Sequence, residues 1–428
     1  APVSRTGIVL GKYFAAVVVY LLAISGTILD AVITSFVAVV DWPSVIGNFL
    51  GLVLLGLALI AVCLFLSSLT ESQVIAAVLG VLWLRFIAHE AGLPRTAFWF
   101  TLAANAVPML AVGSTLLTVD PLSVLFWTAA MVSGWKALQQ DSTRWWCWTG
   151  LWLGLGFLSK YVALFQWICF ATFFALHTPA RRQLRRPGPY LALLINLLCT
   201  IPVLVWNARH DWITVTHLGE RGGFDRAWSF TLQYAGEFLG AELGLLNPVW
   251  LVGMVWAAVA FWRERGSDPL RRYLFCMGAP LFLFYGLLSL RSRVLPNWIA
   301  PAVLPLLCLA ALHWTPRLTD GRRWPRAAFR AGLGLGLVSV LILHDTDLIG
   351  KLSGHHLPPR VDPQRRVGSW RKTAQLVGLK RQELLREGKP VFLLGNHYGV
   401  TSLVAFYLPE AKAAVRRDPL VYCLLSDH

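Results

Sequence analysis

Apolar residues in this chain arrive in blocks long enough to cross a bilayer, and the breaks between blocks are short. Runs such as 31–40 and 49–66 are almost unbroken, and a hydrocarbon core about 30 Å thick needs about 20 apolar helical residues. Candidate spans fall near 13–38, 46–67, 74–88, 98–117, 121–138, 146–158, 161–177, 189–206, 246–262, 273–290, 298–314 and 331–344. Within lipid each backbone N–H and C=O must be satisfied inside its own segment, so such blocks predict helices. The expected fold class is an all-α polytopic membrane protein of about 11–12 spans.

Composition removes the main alternatives. Charged residues make up 14% of the 428 and hydrophobic ones 56%, whereas soluble domains carry roughly a quarter charged residues. The net charge of +16 does not point to nucleic acid, because the basic residues sit mostly in short loops between apolar blocks. Membrane lipids are the partners this pattern implies. Cys63, Cys169, Cys199, Cys276 and Cys308 lie inside apolar stretches and no CxxC pair exists, so neither a zinc knuckle nor a disulfide framework is indicated.

Three arginine-rich loops set the orientation. Arg181, Arg182, Arg185 and Arg186 form one, Arg263, Arg265, Arg271 and Arg272 a second, and Arg317, Arg322, Arg323, Arg326 and Arg330 a third. Even numbers of spans separate them, so all three are assigned to the cytoplasm. Counting outward puts Asp120, Lys160, the long loop 207–245, the stretch 291–298 and the tail after His344 on the outer face. The tail, 346–428, reads as a small extracytoplasmic α/β domain, with helices near 370–386 and 400–407 and a strand near 390–394. The first three spans break the count, since alternation would place Arg5 and Lys12 outside.

Several outer-face residues suit sugar or phosphate chemistry. Asp120 stands where Pro121 opens a helix, and either caps that helix or faces a substrate. Lys160 lies between two apolar segments, where a lone ammonium suits a lipid phosphate or snorkels to headgroups. Trp206, Asn207, Arg209, His210, Asp211 and Trp212 place aromatic planes beside polar groups, as sugar binding and interfacial belts both do. Arg291, Arg293, Asn297 and Trp298 form a second outer cluster, with Arg293 a candidate phosphate ligand. His89-Glu90 lacks the second histidine of a zinc-protease helix, and His355-His356 near Asp345 and Asp347 reads as a solvated loop rather than a metal site.

From about Arg85 the sequence resembles bacterial family 39 membrane glycosyltransferases, of the type-C superfamily and related to dolichyl-phosphate-mannose protein mannosyltransferases. The stretches that carry this are STLLTVDPLSVLFW (114–127), GFLSKY (156–161), VWNARHDW (205–212), LPNWIAPA (295–302), VDPQRRVGSW (361–370) and FLLGNHYGVTSLVAFYLP (392–409), in the family's order. The resemblance implies a polyprenyl-phosphate-linked sugar as donor, a lipid, glycan or protein acceptor, inversion at the anomeric carbon and a bacterial inner-membrane location. It implies a catalytic role for Asp120 and substrate contacts from Lys160, Tyr161, Asn207, His210, Asp211, Arg293, Asn297 and Trp298, and it names no cofactor. Residues 1–84 look different. VLGKY (9–13), DWPSVIGNFLGLVLLG (41–56) and LFLSSLTESQVIAAV (64–78) resemble the last spans of an ABC transporter permease.

The expected organisation is therefore a permease-like segment 1–84, a glycosyltransferase-like bundle 85–345 and the domain 346–428, fused between about Ala76 and Arg85. The resembled enzymes carry an acidic pair or single Asp in their first outer loop as general base, whereas no Asp-Glu pair precedes Asp120 here. Loss of such a base costs about 100-fold to 10,000-fold, so the expectation is donor binding with little transfer. A permease subunit and a non-catalytic lipid- or glycan-binding protein are the competing readings.

Overall fold

The computed structural model describes the chain except residues 1–4, 38–39, 54–56, 58–72, 91, 115–117, 224–228, 265–267, 321–322, 355–357, 359–361, 363–369, 397, 415–418 and 424–428. Much of the predicted span 46–67, most of 361–370, and His355-His356 lie outside the described residues. The chain divides into two units, 1–341 and 342–428.

All regular elements described in the first unit are helices. In order it contains α1 (Arg5–Ser35), α2 (Trp42–Val53), α3 (Gln73–Glu90), α4 (Pro94–Asn105), α5 (Pro108–Gly113), α6 (Asp120–Gln140), α7 (Thr143–Ser159), α8 (Phe165–Leu176), α9 (Pro187–Ala208), α10 (Ile213–Arg221), α11 (Leu232–Leu246), α12 (Pro248–Arg263), α13 (Pro269–Leu288), α14 (Ala300–Thr319) and α15 (Arg323–His344). Short 3-10 turns precede α8, α9 and α14. Prolines open many of these helices at positions whose N–H would be unpaired anyway, as in α4, α6, α9, α12 and α13. The polytopic helical architecture expected from the apolar blocks is the one observed.

Three helices are individually long and apolar enough to cross a membrane, Pro187–Ala208, Pro296–Leu318 and Arg323–His344, and two bent pairs raise the number to five. Burial separates them. The apolar window of the α14 span is 83% buried and that of α9 only 22%, so α14 is the central post of the bundle and α9 an outer wall. One bent pair is α11 with α12, turned by 106° at Asn247, whose φ is 67°. Asn247 accepts from Val249 N at 3.1 Å and donates to Gly332 O at 2.7 Å, which pins the bend to α15. The outer loop expected at 207–245 is thus largely helical. Its second helix, α11, buries Phe238, Glu242 and Leu246 at a spacing of four, one stripe of an amphipathic helix.

The core is aromatic. Trp83, Trp127, Trp146, Phe170, Phe173 and Tyr273 are essentially inaccessible, and the Tyr273 hydroxyl donates to Met131 O at 2.7 Å. Lipid is as apolar as these side chains, so close packing and internal hydrogen bonds hold such a bundle rather than escape from water. Small residues provide the close approach. A Cβ added at Gly150 would stand 2.4 Å from Ala192 O, and one at Gly154 would stand 2.5 Å from the Cys199 side chain, so the pair Gly150 and Gly154 lets α7 lie directly against α9.

Before Trp83, none of the residues whose burial is described is buried. In that stretch α1 and α2 meet each other, with the Tyr20 hydroxyl donating to Leu52 O at 2.7 Å.

The second unit contains α16 (Asp347–Ser353), α17 (Trp370–Leu385), β1 (Leu393–Gly395), α18 (Tyr398–Tyr407), α19 (Pro409–Ala414) and β2 (Val421–Cys423). The two strands pair in parallel, Leu393 opposite Val421. A parallel pair needs a crossover connection, and α18 and α19 fill it. Val404, Leu408 and Ala411 form a small core against Val377, Leu393 and Val421.

Candidate active site

The two sets of loops segregate to opposite ends of the bundle. At one end the Asp141 carboxylate, at the close of α6, accepts from Gln183 at 2.6 Å and pairs with Arg186 at 2.5 Å. Arg272 lies 3.1 Å from the His177 ring nitrogen and Arg271 donates to Leu312 O at 3.4 Å. The loops around 181–186 and 263–272 and the end of α14 are thereby tied together. At that same end Trp135 donates to Glu90 at 3.0 Å, which removes Glu90 from the opposite, substrate-like end.

At the other end three chain segments converge on one carboxylate. Lys160 Nζ lies 2.6 Å from Asp120 Oδ1, and Asn297 Nδ2 donates to Asp120 Oδ2 at 2.9 Å. Thr118 adds a longer contact to Oδ2 at 3.4 Å. Each position has a local cause. Pro121 fixes the first turn of α6 and so the place of Asp120, the first helical residue. Lys160 occupies the extended residue between α7 and the 3-10 turn Tyr161–Leu164, with φ of −159°. Asn297 sits in the 3-10 turn Pro296–Ile299 that leads into α14.

The capping alternative for Asp120 does not hold. The cap position is Val119, whose own side chain makes no cap bond, and Thr118 Oγ1 accepts from Asp120 N at 3.3 Å; the Asp120 carboxylate instead spends both oxygens on Lys160 and Asn297. Asp120 and Lys160 side chains are each 19% exposed, open enough to meet a ligand and enclosed enough for charge to count. Such a pair presents an oriented ammonium, with its remaining N–H donors available to an anion.

The other sequence-derived residues are distributed as follows. Tyr161 follows Lys160 and packs on Phe157 at 5.0 Å between ring centroids. Trp298 follows Asn297 and packs on Tyr285 at 5.5 Å. Arg293 pairs with Glu237 at 3.0 Å, both well exposed. His210 stacks on Trp206 at 4.2 Å, Asp211 is exposed in a turn of positive φ, and Asn207 is buried, its amide donating to Val203 O. No hydrogen bond or ion pair among the described residues joins Asn207, His210, Asp211 or Arg293 to Asp120.

Sequence reasoning passed over Thr118, Glu237 and Glu242. Thr118 was legible in the T-x-D spacing. Glu242 is fully buried, and neither carboxylate oxygen has a hydrogen-bond partner among the described residues; an acid inside an apolar helix is itself the signal. An ionised carboxylate there would carry the cost of desolvation alone. Glu242→Gln is therefore expected to leave the thermal midpoint of the detergent-solubilised protein equal to or above that of the parent chain, and a fall of several degrees would show a charge partner.

Comparison with known proteins bears on this geometry. Residues 67–206 match the family described as Dolichyl-phosphate-mannose-protein mannosyltransferase. The resemblance to family 39 membrane glycosyltransferases holds. The match contains Asp120 and Lys160 and starts ahead of the join expected between about Ala76 and Arg85. The Lipid A galacturonosyltransferase RgtD of Rhizobium johnstonii is 26% identical over 249 residues, 58% of this chain and 50% of that protein. The undecaprenyl phosphate-alpha-4-amino-4-deoxy-L-arabinose arabinosyl transferase of Erwinia tasmaniensis is 27% identical over 241 residues, 52% of this chain and 41% of that one. The chain thus spans about half the length of the curated relatives it matches. Among solved structures, ArnT from Cupriavidus metallidurans bound to undecaprenyl phosphate superposes with a TM-score of 0.52 at 18% identity, over 86% of this chain and 75% of that one. The fold is shared with that protein.

Proposed function

We propose that this chain is a membrane glycosyltransferase that takes its sugar from a polyprenyl-phosphate donor and passes it to a lipid, glycan or protein acceptor. The observation that carries the reading is the convergence of Lys160 and Asn297 on Asp120, from segments 40 and 177 residues away in sequence. The relatives' names, which specify undecaprenyl phosphate or lipid A, support the same donor and a glycolipid acceptor.

In this reading Lys160 binds the donor phosphate and neutralises the charge left on it as the bond to the anomeric carbon breaks. Asp120 holds the ammonium in place, and Asn297 fixes the carboxylate. Tyr161 and Trp298, each next to one of these groups, flank the site. Arg293, His210 and Asp211 contribute to the acceptor or sugar side, and Asn207 shapes the end of α9 behind them. The site lies on the outer, periplasmic face of the bacterial inner membrane, and the span count assigns the domain 346–428 to the periplasm. That assignment rests on the three arginine loops gathering at the opposite end. Residues 1–84 are read as a permease-like segment in which α1 and α2 pair with each other through Tyr20 and Leu52, while α3 joins the bundle through Trp83, whose indole donates to Thr128 at 3.3 Å.

An acceptor hydroxyl must also lose a proton. Asp120 is held by Lys160 and Asn297, and no Asp-Glu pair precedes it to serve as the first-loop base of the resembled enzymes, so transfer by this chain is expected to be low relative to its donor binding. The test measures polyprenyl-phosphate-sugar binding and sugar transfer side by side, for this chain and for one given an acidic first outer loop. Binding by both, with transfer raised about 100-fold or more by the added loop, supports the reading. Robust transfer by the chain alone that Asp120→Asn abolishes would make Asp120 the base, and absence of donor binding would remove the function.

A further inference from the structure

The outer end of α9 carries a group able to take the proton that an acceptor hydroxyl must lose. α7 and α9 run in parallel, because a Cβ added at Gly150 would meet Ala192 and one added at Gly154 would meet Cys199, with Asn196 beside it. Two turns further along the same register, Lys160 and Tyr161 stand level with about residues 202–206 of α9. Trp206 lies seven residues, close to two turns, beyond Cys199, so it leaves α9 on the side that faces α7. Its indole therefore flanks the site that Lys160 occupies, and it is 47% exposed.

His210 completes that flank. It is exposed, and its ring lies flat on the Trp206 indole, 4.2 Å between centroids and 12° between planes. Its Nδ1 stands 2.7 Å from Trp206 O. A carbonyl oxygen can only accept, so Nδ1 carries the hydrogen and Nε2 keeps the lone pair. No hydrogen bond or ion pair among the described residues engages Nε2. The backbone holds the ring in place, with His210 N and Trp212 N both donating to Asn207 O at 3.0 Å. Asp211 and Trp212 then turn the chain at φ of 50° and 56°. A left-handed tryptophan is a steric outlier, which persists only where its surroundings over-determine the turn.

We propose that His210 is the general base for the sugar transfer of this chain, a role that rests on the glycosyltransferase reading and on Lys160 holding the donor phosphate. The acceptor hydroxyl gives its proton to His210 Nε2 as its oxygen bonds to the anomeric carbon. The bond from that carbon to the phosphate oxygen breaks, and its electron pair stays on the polyprenyl phosphate beside Lys160. The exposed imidazolium then returns the proton to water. In inverting sugar chemistry the groups that serve the two faces of the anomeric carbon stand roughly 6.5–9.5 Å apart. A ring stacked one layer beyond the Trp206 indole is set off from Lys160 across such a gap rather than in contact with it. A carbonyl, not a carboxylate, orients this imidazole, so its contribution lies at or below the low end of the about 100-fold to 10,000-fold range of general bases. That agrees with low transfer by this chain.

The experiment measures donor binding and release of polyprenyl phosphate from a labelled polyprenyl-phosphate-linked 4-amino-4-deoxy-L-arabinose, with lipid A and water as acceptors. It uses the full chain in nanodiscs as parent, His210→Ala and His210→Phe, with and without free imidazole. His210→Ala is expected to bind donor like the parent, to release polyprenyl phosphate about tenfold to 100-fold more slowly, and to recover with imidazole. His210→Phe keeps the stack on Trp206 but has no ring nitrogen, so it should be as slow and should not recover. Release retained by His210→Phe, donor binding lost in His210→Ala, or no recovery of His210→Ala with imidazole would each overturn the proposal by leaving His210 a structural role. Release by the chain given an acidic first outer loop but not by the parent would keep the glycosyltransferase reading and remove the base assignment. Release by neither chain overturns the assignment too, and absence of donor binding by both removes the reading on which it rests.

Discussion

Lys160→Ala is expected to weaken binding of a polyprenyl-phosphate-linked sugar about 100-fold, the largest functional effect of any single change at this site. The ammonium is 2.6 Å from Asp120 Oδ1 and only 19% exposed. Truncating one partner of a hydrogen-bonded, partly desolvated charge contact costs about 2–5 kcal/mol, and about 2.8 kcal/mol is a factor of 100 in Kd. Two penalties act together, because the donor phosphate loses its cation while the Asp120 carboxylate, left facing that phosphate, repels it. Lys160→Arg should recover part of the loss, since it restores charge but not the geometry of a compact ammonium. Asp120→Asn should cost less than Lys160→Ala in binding, because it removes the positioning partner and leaves the cation. The check is an equilibrium titration of the labelled donor against each variant in detergent. A Lys160→Ala protein that binds like the parent would refute the role.

The largest structural effect is expected at Gly150. Leucine there would drive its Cβ to 2.4 Å from Ala192 O and 2.7 Å from Ala192 Cα, and backbone cannot rotate aside as a side chain does. Overpacking a core ordinarily costs about 1–3 kcal/mol; a clash with the α9 backbone exceeds that range and separates α7 from α9. Lys160 follows the end of α7, so donor binding should fail together with folding. Gly286→Leu, where an added Cβ meets nothing within 4 Å, is the matched control. Fluorescence-detected size-exclusion chromatography should show the Gly286 variant monodisperse and the Gly150 variant aggregated or absent. A monodisperse Gly150→Leu protein would mean that α7 and α9 are not packed as described.

The parts of this molecule that depend on local physics were legible from the amino acids. Hydropathy and arginine placement gave the helices and the two ends of the bundle, because a bilayer leaves little choice about either. The expected tail helix at 370–386 is observed as Trp370–Leu385 for the same kind of reason, an amphipathic stretch with a clear start and stop. What was not legible depends on distance in sequence. Nothing near Asp120 announces that Asn297 reaches it from 177 residues away, and T-x-D-P by itself read equally well as a helix cap. The bend at Asn247 was hidden because a left-handed asparagine before proline also suits an ordinary loop, and the amphipathic α11 was therefore read as connection. Glu242 was overlooked for the same reason, as a charge placed in a supposed outer loop draws no attention.

The central claim is that the Asp120, Lys160 and Asn297 end of the bundle receives the donor phosphate. The most direct measurement is photo-crosslinking with a polyprenyl phosphate carrying a photoreactive group next to the phosphate, followed by peptide mapping of the full chain in nanodiscs. The account predicts adducts on peptides containing 118–123, 157–161 or 295–298, suppressed by unlabelled donor and lost in Lys160→Ala. Adducts confined to the arginine loops at 181–186, 263–272 or 317–330 would contradict it.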